Sequence, residues 1–464
     1  MRNRFDVVII GSGPAGVAVA ERLYEMNATA TIAIIERGPF LLSSHFYDSG
    51  GSIHDRDHFM ARHRFCPWDG DLSQGGALLP ALGGRGIVGG SQLHRFYAND
   101  FTLWKQGQWR IGCDDLDPYF SEAEKRLFGS TRCVGYSQDY ACAALDRFDA
   151  QHPPCGPDPG GIDGLDFGVA HRSSARRIAA LVEVDSLSAQ PRLSVFSELI
   201  AARLVPSFRQ KQRILYARCV PSNRLDANEI DIAGDVFVLA ASPIESARLV
   251  LASELEDTTS RSSAVGRYLA EHIYCRGYLD SSDSSDLNQG PINIFIPPPS
   301  LGLDDRYQIE IRSMTHADPS QKVVRITGSA AMDPSPENRV SIIPDRMDSY
   351  GIPRAFTFLR PTEADRRRVS SMFAMLTEVA SSLGAKWLYP PVSLPCGASY
   401  HESGTLRISS SEQESAAAED GRLFGTSNVF VGDGAAFASV GVANPILTLT
   451  AMGYRLGDRL AGIT

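Results

Sequence analysis

The sequence predicts an α/β fold in which a Rossmann-like domain is interrupted by a β-rich insertion. The first observation is a strand–helix–strand unit that opens the chain, with strands over 5–10 and 31–35 around a helix over 14–26. The second is that a buried strand followed by a helix returns at 235–251 and again near the carboxyl end. The third is the strand-like pattern of 276–360, which indicates a second, sheet-containing domain for substrate.

The other elements follow from alternating or periodic apolar positions. Strands are predicted over 192–196, 201–205, 213–219, 235–240, 306–313, 322–327, 339–343, 355–359 and 429–432. Helices are predicted over 115–127, 243–251, 362–383 and 445–460. Residues 39–80 have little periodicity, as in a lid or excursion. The Rossmann-like domain is therefore assigned to 1–130, 190–275 and 400–464, and the substrate-binding domain to 131–189 and 276–399.

Composition excludes several classes of protein. Of the 464 residues, 43% are hydrophobic and 21% charged, which is ordinary for a soluble globular protein. The net charge of −9 argues against a nucleic-acid partner, and no apolar run is long enough for a membrane helix. The eight cysteines are scattered without a C-x-x-C pair, and the amino terminus enters a strand at once. We therefore expect reduced thiols and a cytoplasmic location.

A dinucleotide-binding signature lies in the first turn. Gly11-Ser-Gly13-Pro14-Ala15-Gly16 follows a predicted strand and opens a helix. Gly11 permits the tight turn, Gly13 lets a pyrophosphate approach the backbone, and Gly16 allows close helix–strand packing. The helix that starts at Pro14 and Ala15 offers the free N–H groups of its first turn to phosphates, although Pro14 itself has none. Glu36, at the end of the second strand, can accept hydrogen bonds from ribose hydroxyls. The alternative is an ordinary glycine-rich turn, and the motif does not separate FAD from NAD.

Four further segments resemble the glucose–methanol–choline (GMC) family of flavoproteins. They are 84–91 (GRGIVGGS), 236–251 (VFVLAASPIESARLVL), 265–272 (VGRYLAEH) and a carboxyl-terminal block made of 401–407 (HESGTLR), 429–434 (VFVGDG) and 441–450 (GVANPILTLT). The stretch 348–353 (DSYGIP) is similar to the family's substrate-domain hairpin. The sequence departs from the family at Ile408-Ser409, where Met-Gly is usual, and it is shorter than many members.

The resemblance implies FAD as cofactor and names residues that would hold it. Gly89, Gly90 and Ser91 match the second glycine-rich flavin-binding segment. Asp433 would hydrogen-bond the ribityl chain, although a turn aspartate between two glycines is the alternative. Gly434 and the start of the last helix at Pro445 would lie near the flavin ring, where the helix dipole favours negative charge. Arg37, Ile200 and Ala240 complete the FAD contacts that the resemblance implies.

Removing a hydride from an alcohol also requires removing the hydroxyl proton. Such a site needs a base and a hydrogen-bond partner for the developing alkoxide. A His–Asn pair suits this chemistry, because imidazole titrates near neutrality and an amide donates without competing for the proton. By resemblance, His401 is the base and Asn444 the partner. A satisfied core histidine, and an asparagine that caps the helix begun by Pro445, are the alternatives.

Two single histidines and one cluster of histidines are further candidates for a functional role. His94 stands at the offset where pyranose 2-oxidase and choline oxidase carry a histidine covalently bonded to the flavin, and a non-covalent histidine is the alternative. His272 is expected to pack beside the flavin as a structural residue. His45, His54, His58 and His63 cluster irregularly with acidic residues, so we expect no metal site there.

The resemblance implies an FAD-dependent enzyme that oxidises the CH–OH group of a small alcohol, sugar or polyol, nearest the pyranose 2-oxidase branch. Oxygen or another acceptor would reoxidise the flavin, and an oligomer is compatible with the sequence. A second hypothesis is non-oxidative lyase or decarboxylase chemistry on the same scaffold. A flavin-binding interaction protein is a third, against which the intact His401 and Asn444 count.

Overall fold

The computed structural model of the protein describes residues 4–41, 65–87, 93–104, 108–127, 136–151, 174–224, 228–255, 263–284, 286–287, 292–300, 302–314 and 322–464. Its strands are β1 (Arg4–Ile10), β2 (Ile32–Ile35), β3 (Trp68–Gly70), β4 (Leu193–Phe196), β5 (Leu199–Pro206), β6 (Ile214–Pro221), β7 (Ile230–Leu239), β8 (His272–Asp280), β9 (Asn293–Ile296), β10 (Tyr307–Met314), β11 (Val323–Ala331), β12 (Arg339–Met347), β13 (Pro353–Phe358), β14 (Lys386–Ser393) and β15 (Val429–Val431). Its α-helices are α1 (Pro14–Met26), α2 (Cys113–Leu127), α3 (Tyr136–Ala144), α4 (Ser174–Ser186), α5 (Pro243–Ala252), α6 (Glu363–Ser382) and α7 (Ile446–Ala461).

A seven-stranded sheet carries the amino-terminal motif. Its order is β4-β2-β1-β7-β6-β5, and β15 pairs with the last part of β7. The pairs of β1 with β2 and β7, of β2 with β4 and of β15 with β7 are parallel. Because β1, β7 and β15 are parallel, their carboxyl ends meet at one edge, where ligands bind in sheets of this kind.

Two helices begin beside that edge. Helix α1 follows β1 directly, and α7 packs along α1, with Arg22 Nε donating to Asp458 Oδ1 over 2.5 Å. In α7 the buried face includes Leu447, Tyr454 and Leu460. This packing brings the amino-terminal ends of a helix from each end of the chain to the same region.

A five-stranded sheet forms the second layer of the molecule. Its order is β14-β8-β11-β10-β9, with every neighbouring pair antiparallel. One face of β10 and β11 is apolar, because Ile309, Ile311, Val324 and Ile326 are fully or almost fully buried against Met372 of α6 and its neighbours. Side chains of successive strand residues point to opposite faces, so the alternate positions of these strands face away from that core.

The α/β class with a Rossmann-like sheet and a second sheet is confirmed. The helix predicted over 14–26 has the observed bounds, and the other predicted elements are found within a few residues of their predicted ends. Strand β14 was not predicted, since Pro390-Pro391 interrupts its pattern. A small third sheet, β12-β13-β3, was also not predicted.

Three features differ from the predicted domain boundaries, which remain a proposal. Helix α4 lies in the stretch assigned to substrate binding, but it packs on α1, where Arg177 pairs with Glu21 and donates to the Tyr454 hydroxyl over 2.7 Å. Strand β8 crosses the predicted boundary at 275. Strand β3, at the end of the predicted lid, pairs with β13, whereas 42–64 lie outside the described residues.

No helix among the described residues is long and apolar enough to cross a lipid bilayer.

Candidate active site

One cavity of about 540 Å³ brings together the two ends of the chain and the five-stranded sheet. Its size is in the range of small-molecule and cofactor sites. Most of the residues predicted from the sequence to form a site line it: Gly11, Gly13, Pro14, Ala15, Glu36, Arg37, Ile200, Ala240, His401, Asp433, Gly434, Asn444 and Pro445.

Two of the predicted residues, Gly16 and His94, do not line this cavity. Gly16 packs inside the turn, where an added Cβ would meet the carbonyl oxygen of Gly11 at 2.2 Å, so its role is packing as the motif predicts. His94 lines a smaller neighbouring pocket. Gly89, Gly90 and Ser91 lie outside the described residues.

The first glycine turn has the geometry that the motif predicts. Gly11 has φ +107°, and an added Cβ would meet the carbonyl oxygen of Ala240 at 2.2 Å, so this position requires glycine. Gly13 has open space at the Cβ position and precedes Pro14, the first residue of α1. The first N–H groups of a helix have no acceptor within it, so the turn offers an uncovered anion-binding surface. A dinucleotide pyrophosphate fits this surface.

Two charged residues line the cavity near this turn. Glu36 accepts hydrogen bonds from the backbone N–H groups of Ser12 (3.2 Å) and Gly38 (2.8 Å), and burial raises its pKa. Its Oε2 also accepts from the Ser12 hydroxyl, whereas the donor to Oε1 is Gly38 alone in the described part of the chain, so Oε1 can accept from a ribose hydroxyl as well. The Arg37 guanidinium lies over the Phe65 ring, 4.5 Å from its centroid.

Asp433 is held by protein donors. Its carboxylate accepts from Ser242 N (2.9 Å), Ser246 Oγ (2.7 Å) and Ala435 N (2.8 Å), and it caps the short helical turn that starts at Gly434. Burial, its largest cause, raises the pKa of Asp433 to about 6. Asp433 therefore makes the hydrogen bonds expected of a turn aspartate. Its contact with a ribityl chain remains a prediction.

His401 contacts a second histidine that sequence reasoning treated as packing. The Nδ1 atoms of His401 and His272 are 2.8 Å apart, and His272 Nε2 is 2.6 Å from the carbonyl oxygen of Gly441. A carbonyl only accepts, so His272 carries its proton on Nε2 and, when neutral, accepts at Nδ1. His401 must then donate from its own Nδ1. This leaves the Nε2 atom of His401 unprotonated.

Burial keeps both imidazoles neutral. The pKa of His272 is lowered to about 4, chiefly by desolvation. The pKa of His401 is lowered well below its usual value by desolvation first, then by His272 and Arg85. A neutral imidazole with a fixed tautomer is a base whose accepting nitrogen is already defined.

Asn444 does not cap the last helix. Helix α7 begins at Ile446 and its cap position is Pro445, so Asn444 lies one residue before the cap, and the alternative of a helix-capping asparagine is wrong. Instead, Asn444 Oδ1 accepts from Gln308 Nε2 over 3.4 Å. Because its oxygen faces Gln308, the amide nitrogen of Asn444 is the group left to donate to a ligand.

Two acidic side chains support the segment that carries His401. Glu271 accepts from the backbone N–H of Gly397 (2.5 Å) and from the Ser399 hydroxyl (2.7 Å), and Ser399 Oγ accepts from the backbone N–H of His401 (3.1 Å). Glu402, the next residue, forms a two-point ion pair with Arg85 at 3.0 and 2.6 Å. The backbone on both sides of His401 is therefore anchored.

His94 lies apart from His401 in the smaller pocket. Its ring stacks on Phe295 with centroids 3.9 Å apart, and its buried Nε2 has no hydrogen-bond partner among the described residues. Desolvation lowers its pKa to about 4, while nearby Glu310, which lines the main cavity, acts in the opposite direction. His94 therefore lies close to Glu310, a residue of the main cavity's lining.

Sequence reasoning missed the five-stranded sheet's contribution to the site. Tyr274, Arg276, Glu310, Arg312 and Arg325 all line the cavity. The available signal was the run of charged residues at alternate positions in otherwise apolar strands. No group of three His, Cys, Asp or Glu side chains able to hold a metal occurs in the described part of the chain, and His45, His54, His58 and His63 lie outside it.

Comparison with known proteins agrees with this architecture. Residues 334–453 match the family model described as GMC oxidoreductase. The chain is 23% identical to C-glycoside 3-oxidase from Microbacterium trichothecenolyticum, covering 98% of this chain and 96% of the relative. It is 23% identical to 2-methyl-1,2-propanediol dehydrogenase from Mycolicibacterium austroafricanum, covering 99% and 95%. Pyranose 2-oxidase from Tricholoma matsutake is 23% identical over 64% of this chain and 59% of the relative.

Among solved structures, a formate oxidase from Aspergillus oryzae RIB40 superimposes with a TM-score of 0.73 at 12% identity, covering 99% of this chain and 98% of that one. At this identity the likeness concerns the fold.

Replacing Glu271 with Gln should reduce the pH dependence of stability. Burial raises the pKa of Glu271 to about 8 in the folded protein, above its unfolded value of 4.5. The folded state therefore binds the extra proton between these values, and stability falls as pH rises towards 8. Between pH 6 and pH 9, the melting temperature of Glu271→Gln should fall less than that of the unsubstituted protein.

The control is Glu254→Gln, since the Glu254 side chain is 74% exposed. It should follow the unsubstituted protein. Equal falls in melting temperature for all three proteins would contradict the assignment of a buried, raised-pKa carboxyl at Glu271.

Proposed function

This chain belongs to the glucose–methanol–choline (GMC) oxidoreductase family of FAD-dependent enzymes, and we propose that His401 and Asn444 carry out its oxidation of a CH–OH group. The enzyme is an FAD-dependent alcohol or sugar oxidoreductase. We propose a small alcohol, sugar or polyol as substrate, since the relatives are named for the oxidation of such compounds.

The described residues fit FAD. Gly11, Gly13 and the start of α1 would hold its pyrophosphate, Glu36 its ribose, and Gly434 with the start of α7 its ring end. The bound FAD supplies a hydride acceptor. The cavity reaches from the first glycine turn to His401, so one extended cofactor can span both regions.

His401 would remove the hydroxyl proton of the substrate at its Nε2 atom. The Nδ1 atom is engaged by His272 at 2.8 Å and lies 3.4 Å from the Tyr274 hydroxyl. The Gly441 carbonyl sets the tautomer of His272, and His272 sets that of His401. This chain of contacts is the observation that carries the proposal, because it defines which nitrogen is the base.

Asn444 would donate a hydrogen bond from its amide nitrogen to the substrate oxygen as negative charge develops there. Its oxygen is turned to Gln308, so the amide orientation is set by a protein contact. A neutral donor stabilises an alkoxide without giving up a proton, which keeps the acid–base role with His401.

The finer assignments stay proposals. The relatives include one named an oxidase of C-glycosides, one a dehydrogenase and one a pyranose 2-oxidase. On the sequence pattern, we propose that oxygen or another acceptor reoxidises the flavin and that the chain is nearest the pyranose 2-oxidase branch. A covalent bond between His94 and FAD is proposed on the same pattern, together with the unpartnered Nε2 of His94.

Replacing His401 with Ala should lower the rate of flavin reduction by about 10²–10⁴-fold, the usual contribution of a general base. FAD should stay bound, since the glycine turn and Glu36 are untouched. The measurement is anaerobic bleaching of the flavin absorbance, first across a panel of alcohols and sugars to find a reducing substrate. Bleaching by substrate also separates oxidation from lyase or decarboxylase chemistry. Unchanged reduction rates in the variant would remove His401 as the base.

Replacing His272 with Phe tests whether His272 sets the tautomer of His401. The imidazole of His401 would lose its acceptor, so we expect flavin reduction to slow by about tenfold or more with FAD retained. His272 also lowers the pKa of His401, so its removal should raise that pKa. The acid limb of the pH profile of flavin reduction should therefore move to higher pH. A slower variant with an unmoved acid limb would indicate a merely structural role.

Covalent attachment at His94 predicts that yellow colour stays with acid-precipitated protein. In His94→Ala the colour should pass to the supernatant, because the only proposed attachment point is gone. Full release of FAD from the unsubstituted protein would exclude the bond.

A further inference from the structure

Strands β8, β10 and β11 turn one polar face towards the cavity, and its residues fall into rows across the sheet. In the first row Tyr274 and Gln308 both lie opposite Ser329. The Tyr274 hydroxyl is 3.4 Å from His401 Nδ1, and Gln308 donates to Asn444. This first row therefore marks the position of the proposed catalytic pair on the sheet.

The next two rows are rich in arginine. Arg276 and Glu310 both lie opposite Thr327 in the second row, and Arg312 lies opposite Arg325 in the third. Arg312 Nη2 is 2.5 Å from Glu310 Oε1, and Arg325 Nη2 is 3.7 Å from it. Three positive charges thus line the cavity against one carboxylate on this face.

This excess is local to the face of the sheet, because the described lining of the whole cavity contains as many carboxyl groups as guanidinium groups. Arg85 and Glu402 also line the cavity, and they neutralise each other in an ion pair. Buried charge is costly unless it is compensated. Glu310 pairs with Arg312, whose side chain is only 3% exposed, whereas Arg276 makes no ion pair with a carboxylate in the described part of the chain. An anionic ligand can therefore compensate the charge of Arg276.

Several buried polar atoms of this face have no hydrogen-bond partner among the described residues. They are Arg276 Nε, Arg312 Nε, Gln308 Oε1, Thr327 Oγ1 and Ser329 Oγ. Native proteins rarely leave buried polar groups unsatisfied, and such a set beside a cavity is typical of a site for a polar ligand. Guanidinium groups prefer carboxylate or phosphate oxygens, which they can bind through two parallel hydrogen bonds.

We propose that the substrate is a hydroxylated acid, a small alcohol or sugar whose carboxylate or phosphate group binds Arg276 and Arg312. This assignment rests on the proposed function, because it names the substrate class of the same site. Successive residues on one face of a strand are about 7 Å apart. Arg276 is one such step from Tyr274, so a sugar acid can place its acid group on the arginine row and its hydroxyl at His401.

The test uses the oxidised holoenzyme and ligands that cannot react. Butyrate and its neutral analogue butyramide are titrated at low ionic strength while the visible flavin spectrum is followed. Butyrate should bind at least about tenfold more tightly, and added salt should weaken its binding. Inorganic phosphate, titrated in the same way, distinguishes a phosphate site from a carboxylate site by which anion binds more tightly.

Arg276→Gln and Arg312→Gln should each weaken butyrate binding about tenfold or more and leave butyramide binding unchanged. Arg203→Gln is the control, because Arg203 is half-exposed and pairs with Glu254 away from the cavity. Equal affinity of the unsubstituted enzyme for butyrate and butyramide would overturn the proposal without any variant. Unchanged butyrate binding in both arginine variants would also overturn it.

The two proposals fail in different ways. Because the titration involves no turnover, tight butyrate binding without flavin bleaching by any alcohol would contradict only the oxidation mechanism. Bleaching by neutral sugars, combined with equal binding of butyrate and butyramide, would contradict only the acid-bearing substrate.

Discussion

The hydrogen bond between His272 Nε2 and the Gly441 carbonyl is the contact on which the proposed chemistry depends. A carbonyl cannot donate, so this contact assigns a proton to one nitrogen of His272 and, through the 2.8 Å contact between the two imidazoles, to one nitrogen of His401. The three residues come from the start of β8, the loop that begins after β14 and the segment before α7. The reactive nitrogen is therefore defined only when the five-stranded sheet and the carboxyl-terminal segment are assembled together.

Burial shifts the pKa values of the titratable groups in opposite directions at the two ends of the cavity. Near the glycine turn, burial raises the pKa values of Glu36 and Asp433, and both carboxyls are held by protein donors. Around His401, burial lowers the pKa values of the imidazoles, which favours a neutral base. Desolvation is the largest cause in each case. The cavity thus has acceptors for hydroxyl groups at one end and a proton acceptor at the other.

Local patterns were enough to predict the Rossmann-like part of the fold and its glycine turn. Gly11 and Gly16 have steric requirements that depend on residues within the same strand–turn–helix unit and on Ala240, so the motif carries nearly all of the information. The role of His272 could not be predicted in this way. Its partners, His401 and Gly441, are more than a hundred residues away, and the tautomer follows only from their distances. The charged residues of β8, β10 and β11 alternate with apolar ones in the sequence, but that they share one face follows only from the register of the sheet.

In β10 and β11, the residues that pack into the core and the residues that line the cavity lie on opposite faces. Ile309, Ile311, Val324 and Ile326 pack into the apolar core under α6, whereas the intervening positions meet the cavity. A substitution at an intervening position alters what the cavity can accommodate while the core beneath it keeps its packing. Related enzymes with this sheet can therefore diverge in the compounds they accept through changes at every second residue, with little loss of thermodynamic stability.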